Sequence, residues 1–66
     1  MRLKELISTN LNTLEYIYIY FDKDQYDSEE YTYKARGMRQ IAAQDRDATV
    51  RSWYIDDGSN LHVLLF

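Results

Sequence analysis

The chain has 66 residues, no cysteine, one histidine and a formal net charge of −3. This length holds one domain, residues 1–66, and leaves no room for a linker and a second core. Without cysteine it has neither a disulfide nor a thiolate metal site, so its stability must come from apolar packing, with self-association as a further contribution. A hydrophobic content of 45% favours a folded domain over a disordered tail.

The N-terminus carries charged residues without a continuous apolar segment behind them, which is unlike a signal peptide. No apolar run in the sequence approaches the ~20 residues that span a bilayer. We therefore expect a soluble, cytoplasmic protein with no membrane contact.

The first predicted element is a short helix over residues 2–9. Leu3, Leu6 and Ile7 follow the i, i+3, i+4 spacing of one helix face. A helix of this length is not stable alone, so the stripe must pack on a core. The polar residues 8–10 predict its end, and residues 11–13 connect it to the next element.

The run from Leu14 to Phe21 predicts a strand with two different faces. Side chains alternate along a strand. One face belongs to the core and holds Ile17, Ile19 and Phe21. The opposite face is aromatic and holds Tyr16, Tyr18 and Tyr20.

Residues 22–28 predict a polar, acidic turn, and residues 31–33 a second strand paired with the first. A helix starting near Glu29 is the competing interpretation, because Asp27 or Ser28 would cap it. We expect the short strand, followed by a helix from about Ala35 to Gln44.

The buried stripe of that predicted helix consists of Met38, Ile41 and Ala42. Gly37 lies near its start. Either the glycine weakens the helix by ~1 kcal/mol relative to alanine, or it marks the true boundary of the helix.

The end of the chain predicts a β-hairpin. Strands over residues 49–55 and 60–66 flank a turn that contains Asp57-Gly58, a strong hairpin signal. A type I turn with Gly58 in the left-handed region gathers the apolar residues Trp53, Ile55, Leu61, Val63 and Leu65 on one face. A two-residue turn would pair Trp53 with His62 instead. We expect the first register because it gathers more apolar residues.

The resulting order is helix, strand, strand, helix, strand, strand. It predicts the α+β class: a small antiparallel sheet with two short helices against one face, ending in a C-terminal β-hairpin.

The charges are segregated along the chain. Residues 22–30 carry five acidic side chains against one lysine, whereas residues 34–51 carry five basic side chains against two aspartates. Charged runs of this kind usually form solvated surfaces.

The spacing Asp22-x-Asp24-x-x-Asp27 invites comparison with a helix–loop–helix calcium site. Such a loop needs an oxygen ligand at its fifth position, glycine at its sixth and glutamate at its twelfth. Those positions hold Tyr26, Asp27 and Tyr33. The motif fails at all three, so we predict no metal site and no cofactor.

Catalytic patterns are weak. Asp56 and Asp57 are adjacent residues whose side chains point apart, and turn chemistry explains both. A histidine on a terminal strand, such as His62, is usually a packed or surface residue. Two glycines do not make a phosphate loop. We predict that the protein is not an enzyme.

Tyr16, Tyr18 and Tyr20 predict a protein-contact face, since tyrosine loses little entropy on binding and its hydroxyl tolerates water. Burial of the same tyrosines beneath helices on both sheet faces is the open alternative. Asp22, Asp24 and Asp27 would form an acidic rim that steers a basic partner. The expected partner is a protein of unknown identity, or a second copy in a homodimer that uses the tyrosines.

A single-stranded nucleic-acid-binding module is the second functional prediction. Strand tyrosines stack bases when basic residues lie beside them, and the available arginines are Arg36, Arg39, Arg46 and Arg51. The negative net charge and the acidic segment after the tyrosine strand disfavour it, because affinity for nucleic acid depends on neutralising phosphates. An acidic mimic of nucleic acid is a further form of the protein-binding prediction.

Three segments of the chain carry a general resemblance to a known class of proteins. They are the opening Met-Arg-Leu-Lys-Glu-Leu-Ile, the strand Glu-Tyr-Ile-Tyr-Ile-Tyr, and the ending from Val50 to Phe66. They resemble those of short acidic proteins encoded by phages and prophages of Gram-positive bacteria, which are mostly of unassigned function. The resemblance implies a context and supplies no site residues. Because some small phage proteins inhibit host defence enzymes, it implies an accessory or inhibitor protein as one form of the binding module.

Overall fold

The computed structural model describes residues 1–10 and 13–66. The predicted connection over residues 11–13 lies, except for Thr13, outside the described residues. In chain order the elements are α1 (Leu3–Asn10), β1 (Ile17–Tyr20), α2 (Lys23–Ser28), β2 (Tyr33–Ala35), a 3-10 turn (Met38–Gln40), α3 (Ala43–Arg46), β3 (Val50–Ile55) and β4 (Leu61–Leu65). The α+β class is confirmed.

The four strands form one mixed sheet in the order β2-β1-β4-β3. Both outer pairs are antiparallel, but β1 and β4 are parallel, with Ile17 beside Leu61 and Tyr18 beside His62. The prediction of an antiparallel sheet was therefore wrong at its centre. Two antiparallel pairs, β1–β2 and β3–β4, meet through strands that run in the same direction.

All five residues of β4 are buried. A run that is apolar at four of five positions, such as Leu61-His-Val-Leu-Leu65, is typical of a strand that is covered on both faces. β4 has β1 on one side and β3 on the other, so it forms the centre of the sheet.

Helix α1 packs its predicted stripe into the core, where Leu3, Leu6 and Ile7 are buried with the aliphatic residues of β1 and β4. This prediction is confirmed. The hydroxyls of Ser8 and Thr9 bond back to the carbonyls of the preceding turn instead of ending the helix, which continues through Asn10.

Strand β1 is shorter than predicted. Ile17 and Ile19 are buried in the core as expected. Phe21 was predicted to join them, but it follows the strand and its side chain is 42% exposed. The chain leaves the sheet at Phe21 because Asp22 already begins the next helix.

The acidic segment predicted as a turn is helix α2. The Asp22 side chain accepts a hydrogen bond from the Asp24 backbone N–H at 2.7 Å and so caps the helix. Lys23 and Asp27 form an i,i+4 ion pair of 3.0 Å. No residue of this helix is fully buried, so the cap stabilises it locally and the exposed ion pair adds little.

α2 lies on the sheet face opposite α1 and α3. The ring of Tyr26 in α2 meets the ring of Tyr20 edge-on at 5.3 Å, whereas the residues of α1 share the core with Ile17 and Ile19. The prediction that the helices cover one face was therefore wrong.

The helix predicted for residues 35–44 does not form. Ala35 ends β2, Gly37 is fully extended, and a 3-10 turn precedes the short helix α3. Ile41 is buried and Met38 packs on the core as predicted, but Ala42 is exposed. Gly37 marks a boundary, which was the second interpretation of that glycine. A strand and not a helix follows Glu29, but it spans Tyr33–Ala35, so the strand predicted over residues 31–33 is correct only at Tyr33.

The C-terminal hairpin and its register are confirmed, with Ile55 opposite Leu61 and Trp53 opposite Val63. The left-handed residue of the turn is Ser59, at φ 63°, rather than Gly58. Asp56 explains the difference: its side chain accepts hydrogen bonds from the backbone N–H groups of Gly58 and Asn60, at 2.8 and 3.0 Å.

Candidate functional site

The sheet face that points away from α1 is the tyrosine face. It carries Tyr18 and Tyr20 of β1, His62 of β4 and Tyr54 of β3. The register explains this row, because Tyr18 lies beside His62, which in turn lies opposite Tyr54.

His62 is clamped at the centre of the tyrosine face and is only 7% exposed. The ring of Tyr54 stacks on one side of the imidazole and the ring of Tyr18 on the other, with centroid distances of 4.4 and 4.9 Å. Nε2 lies 2.7 Å from Oδ2 of Asp56, and Nδ1 lies 2.8 Å from the hydroxyl of Tyr20. Both ring nitrogens are therefore engaged.

The partners define the direction of these hydrogen bonds for a neutral imidazole. The hydrogen bond from His62, together with those from Asn60 and Gly58, lowers the pKa of Asp56 to about 2. An ionised carboxylate only accepts, so Nε2–H donates to Asp56 and Nδ1 accepts from the hydroxyl of Tyr20. Burial first, and then the charge of Glu29, raise the pKa of Tyr20 to about 12, which keeps that hydroxyl protonated.

The three tyrosines of the predicted site, Tyr16, Tyr18 and Tyr20, differ in burial. Tyr20 is fully buried, with its ring against Tyr26 and its hydroxyl on His62. Tyr16 and Tyr18 are partly exposed. α2 covers the end of the tyrosine face that holds Tyr20 and leaves the other end open, so the structure divides the predicted set in two.

Tyr31 joins the open end of the tyrosine face. Its ring lies 4.7 Å from that of Tyr18, which lies 6.3 Å from that of Tyr16, and its side chain is 43% exposed. We call Tyr16, Tyr18 and Tyr31 the tyrosine cluster. The sequence analysis placed Tyr31 in a predicted strand over residues 31–33 but did not assign it to the site, and in the structure it precedes β2 in irregular chain.

Two basic side chains lie over the tyrosine cluster. Nζ of Lys34 is 4.9 Å and Cζ of Arg36 is 5.1 Å from the centroid of the Tyr16 ring, within the range of cation–π attraction. Arg36 also pairs with Glu15 at 3.7 Å. Lys34 reaches this position because it lies beside Tyr18 in the β1–β2 ladder.

The other arginines of the nucleic-acid prediction have different surroundings. Arg46 donates from Nε to the carbonyl of Ile41, Arg51 lies over the ring of Phe66, and Arg39 is exposed on the 3-10 turn. Among these described arginines, Arg36 is the one that meets the tyrosines.

The predicted acidic rim belongs to α2. Asp22 caps the helix, Asp24 lies in its first turn and Asp27 pairs with Lys23, and all three side chains are exposed. Just beyond the helix, Glu29 accepts a hydrogen bond of 3.1 Å from the hydroxyl of Tyr54. Burial and this bond raise the pKa of Tyr54. Acidic side chains thus border the covered end of the tyrosine face.

Within residues 1–10 and 13–66, no group of three or more acidic, histidine or cysteine side chains is arranged to hold a metal ion. The same residues enclose no pocket. No helix in the described part of the chain is long and apolar enough to cross a membrane.

Comparison of the chain with protein-family models, with curated proteins and with solved structures gives no match. Functional proposals for this chain therefore depend on the geometry of its own side chains. The resemblance to short phage-encoded proteins stays an expectation from the sequence.

Proposed function

We propose that this chain is a small non-enzymatic protein-interaction module that contacts its partner through the tyrosine cluster. The observation that carries the proposal is the run of ring contacts from Tyr16 through Tyr18 to the half-exposed Tyr31. Neighbouring rings restrict one another, so little side-chain entropy remains to be lost when a partner binds. Tyrosine is also enriched among the residues that dominate protein interfaces.

The charges around the tyrosine cluster support a protein partner. Lys34 and Arg36 lie over Tyr16, but Glu15 pairs with Arg36, and the acidic helix α2 borders the far end of the face. A surface with both signs of charge suits a protein that carries both signs, and it repels a uniformly negative backbone at one end.

The acidic rim of Asp22, Asp24 and Asp27 would steer a basic patch of that partner toward the tyrosine cluster. Tyr20 stays outside the contact surface, because its ring is fully buried and supports His62 and Tyr26 from within. In the context that the resemblance implies, such binding would make the protein a phage-encoded accessory or inhibitor.

The test is affinity capture of the partner from the native host, followed by calorimetric titration of the purified pair. We expect Tyr31→Ala to weaken binding at least tenfold, as removal of a dominant interface tyrosine does. Phe21→Ala is the matched control, since Phe21 is an equally exposed aromatic residue outside the tyrosine cluster. Thermal unfolding of each variant establishes that the fold is retained.

Tyr18→Ala extends the test to the centre of the tyrosine cluster. Its side chain also stacks on His62, so loss of binding counts only if the variant remains folded. If Tyr31→Ala and a folded Tyr18→Ala both bind as tightly as the unchanged chain, the tyrosine cluster is not the contact surface.

Single-stranded nucleic acid is the second candidate ligand, and the two cations over Tyr16 are the observation that favours it. Bases stack on strand aromatics while nearby cations bind the phosphates. Fluorescence anisotropy with short oligonucleotides at low and moderate salt tests this function. Binding that weakens with salt and is lost in Lys34→Glu would support it, and no binding at low salt would remove it.

A further inference from the structure

Among the strands of residues 1–10 and 13–66, β3 has a neighbouring strand, β4, on one side only. The sheet order places it at the edge beyond β4. At its start the outer side is covered by the N-terminal segment, since the Val50 N–H donates to the carbonyl of Met1 at 2.8 Å and Arg2 bridges to Thr49. A register shift between Val50 and Ser52 follows. In the described part of the chain, the outer edge of β3 has no backbone partner from Ser52 to Ile55.

The hydrogen-bond pattern of the hairpin indicates which backbone groups face outward. The Asp56 N–H donates to the carbonyl of Asn60 at 3.0 Å, and the Leu61 N–H donates away from β3, to the carbonyl of Tyr16 at 2.8 Å, so Asp56 and Asn60 occupy the position of a hydrogen-bonded pair. Such pairs alternate along an antiparallel ladder, so Tyr54 bonds inward to His62. The N–H and C=O groups of Trp53 and Ile55 therefore point outward, away from β4.

The same two residues carry exposed apolar side chains. Trp53 and Ile55 lie on the core side of the sheet, opposite Val63 and Leu61, yet they are 41% and 40% exposed and lie outside the core cluster. An edge strand with unpaired backbone groups and apolar side chains is a template for pairing with another strand.

We propose that β3 is a homodimer interface, at which a second copy of the chain adds its own β3 antiparallel to the first, with the twofold axis at Tyr54. In this register Trp53 lies opposite the partner's Ile55, and Ile55 lies opposite the partner's Trp53. The outward N–H and C=O groups of Trp53 and Ile55 in both copies then form four backbone hydrogen bonds. A twofold at Trp53 would instead set Ile55 against Arg51, where the register of the strand is disturbed.

Charge complementarity selects a second copy as the occupant. Arg51 lies near the start of β3 and Asp57 follows just after its end, and both are exposed. Antiparallel pairing brings Arg51 close to the partner's Asp57, and the twofold axis repeats the pair. The inference does not rest on the proposed function, because the edge lies outside the tyrosine cluster and leaves it open in both copies.

The first test is the solution mass by light scattering over a concentration series. We expect the mass to rise from 8.0 kDa toward twice that value. Trp53→Lys should remain monomeric at every concentration, whereas the matched control Phe21→Lys, which adds the same charge at an equally exposed aromatic position, should dimerise normally. A chain that is monomeric throughout, or a dimer that survives Trp53→Lys, would overturn the proposal.

Two further measurements keep the test decisive if Trp53→Lys does not fold. Arg51→Glu and Asp57→Arg should each weaken the dimer severalfold, and the double variant should restore it. Amide hydrogen exchange at Trp53 and Ile55 should slow as the protein concentration rises, while exchange at Tyr54, whose N–H already bonds to His62, should slow less. Exchange at Trp53 and Ile55 that does not slow over the concentration range in which the mass rises would place the interface elsewhere.

Discussion

The imidazole of His62 lies parallel to the phenol ring of Tyr54, with 4.4 Å between the ring centroids and 4° between the planes. Asp56 and Tyr20 hold the two nitrogens of the same ring. The histidine thus joins β1, the central strand β4, the edge strand β3 and the hairpin turn. A polar network of this kind is stabilising only while each buried member keeps its partner.

The stability of the fold should depend on the ionisation of Asp56. Its pKa in the folded state is about 2, below the ordinary value of 3.8. A lowered carboxyl pKa stabilises the fold at pH values above the ordinary value, and this contribution is lost as the pH falls through about 2. We expect Asp56→Ala to reduce the free energy of unfolding by about 2 kcal/mol at neutral pH, because charged hydrogen bonds are lost from a partly exposed group.

Urea denaturation of both proteins from neutral pH down to acid measures this effect. The difference between the unchanged chain and Asp56→Ala should shrink as the pH approaches 2. Glu30→Ala is the control, since Glu30 is an exposed carboxylate outside the network and outside β3. If the difference in the free energy of unfolding between the unchanged chain and Asp56→Ala stays constant with pH, the charge of Asp56 does not contribute to stability.

Removal of the Tyr20 hydroxyl should destabilise the fold without changing its shape. Tyr20→Phe leaves Nδ1 of His62 without its partner at a buried position, which costs about 1–3 kcal/mol. Tyr16→Phe, a matched change at a partly exposed position outside the His62 network, should alter the free energy of unfolding by less than about 0.5 kcal/mol. Equal effects of the two variants would contradict the role given to the hydroxyl.

The local pattern of the sequence was sufficient for α1 and the C-terminal hairpin. The spacing of Leu3, Leu6 and Ile7 identified a buried helix face, and Asp57-Gly58 between two β-rich runs identified the turn. The choice of register came from the number of apolar residues that it gathers on one face. Both elements are specified by residues near one another in the chain, which is where periodicity and turn chemistry are informative.

The sequence did not predict contacts between residues that are far apart along the chain. The parallel contact between β1 and β4 joins residues 44 positions apart, such as Ile17 and Leu61, and leaves no local pattern. The burial of the strand tyrosines depends on α2, which covers one end of their face. An aspartate such as Asp22 is favoured both in turns and at helix N-caps, so the sequence did not distinguish a turn from this helix. Without α2, the sequence could not predict that Tyr20 is buried while Tyr18 is partly exposed.

Ser59 should be a site where glycine stabilises the hairpin. Its φ of 63° is in the left-handed region, which costs a residue with a Cβ atom about 1 kcal/mol. The backbone bonds of Ser59 to Asp56 and Glu15 do not involve its side chain. We expect Ser59→Gly to raise the free energy of unfolding by about 0.5 kcal/mol, since the greater freedom of glycine in the unfolded chain offsets part of the gain. A lower midpoint in urea would contradict this expectation.

The two glycines of the chain should respond in opposite ways to alanine. Gly37 is extended, with φ −169°, and a Cβ atom there meets nothing within 4 Å. Gly37→Ala should therefore raise the free energy of unfolding by about 0.5 kcal/mol, because alanine has fewer unfolded conformations to lose.

At Gly58 a Cβ atom would lie 2.9 Å from Nδ2 of Asn60 and 3.4 Å from Oδ1 of Asp56. Gly58→Ala should disturb the hydrogen bonds that hold the turn and lower the free energy of unfolding by about 1 kcal/mol. Urea midpoints of the two variants, compared with the unchanged chain, test both expectations. The combined variant Gly58→Ala with Asp56→Ala should lose less than the sum of the two changes, because both act on the same hydrogen bonds. Additive losses would show that the alanine at residue 58 acts through the backbone alone.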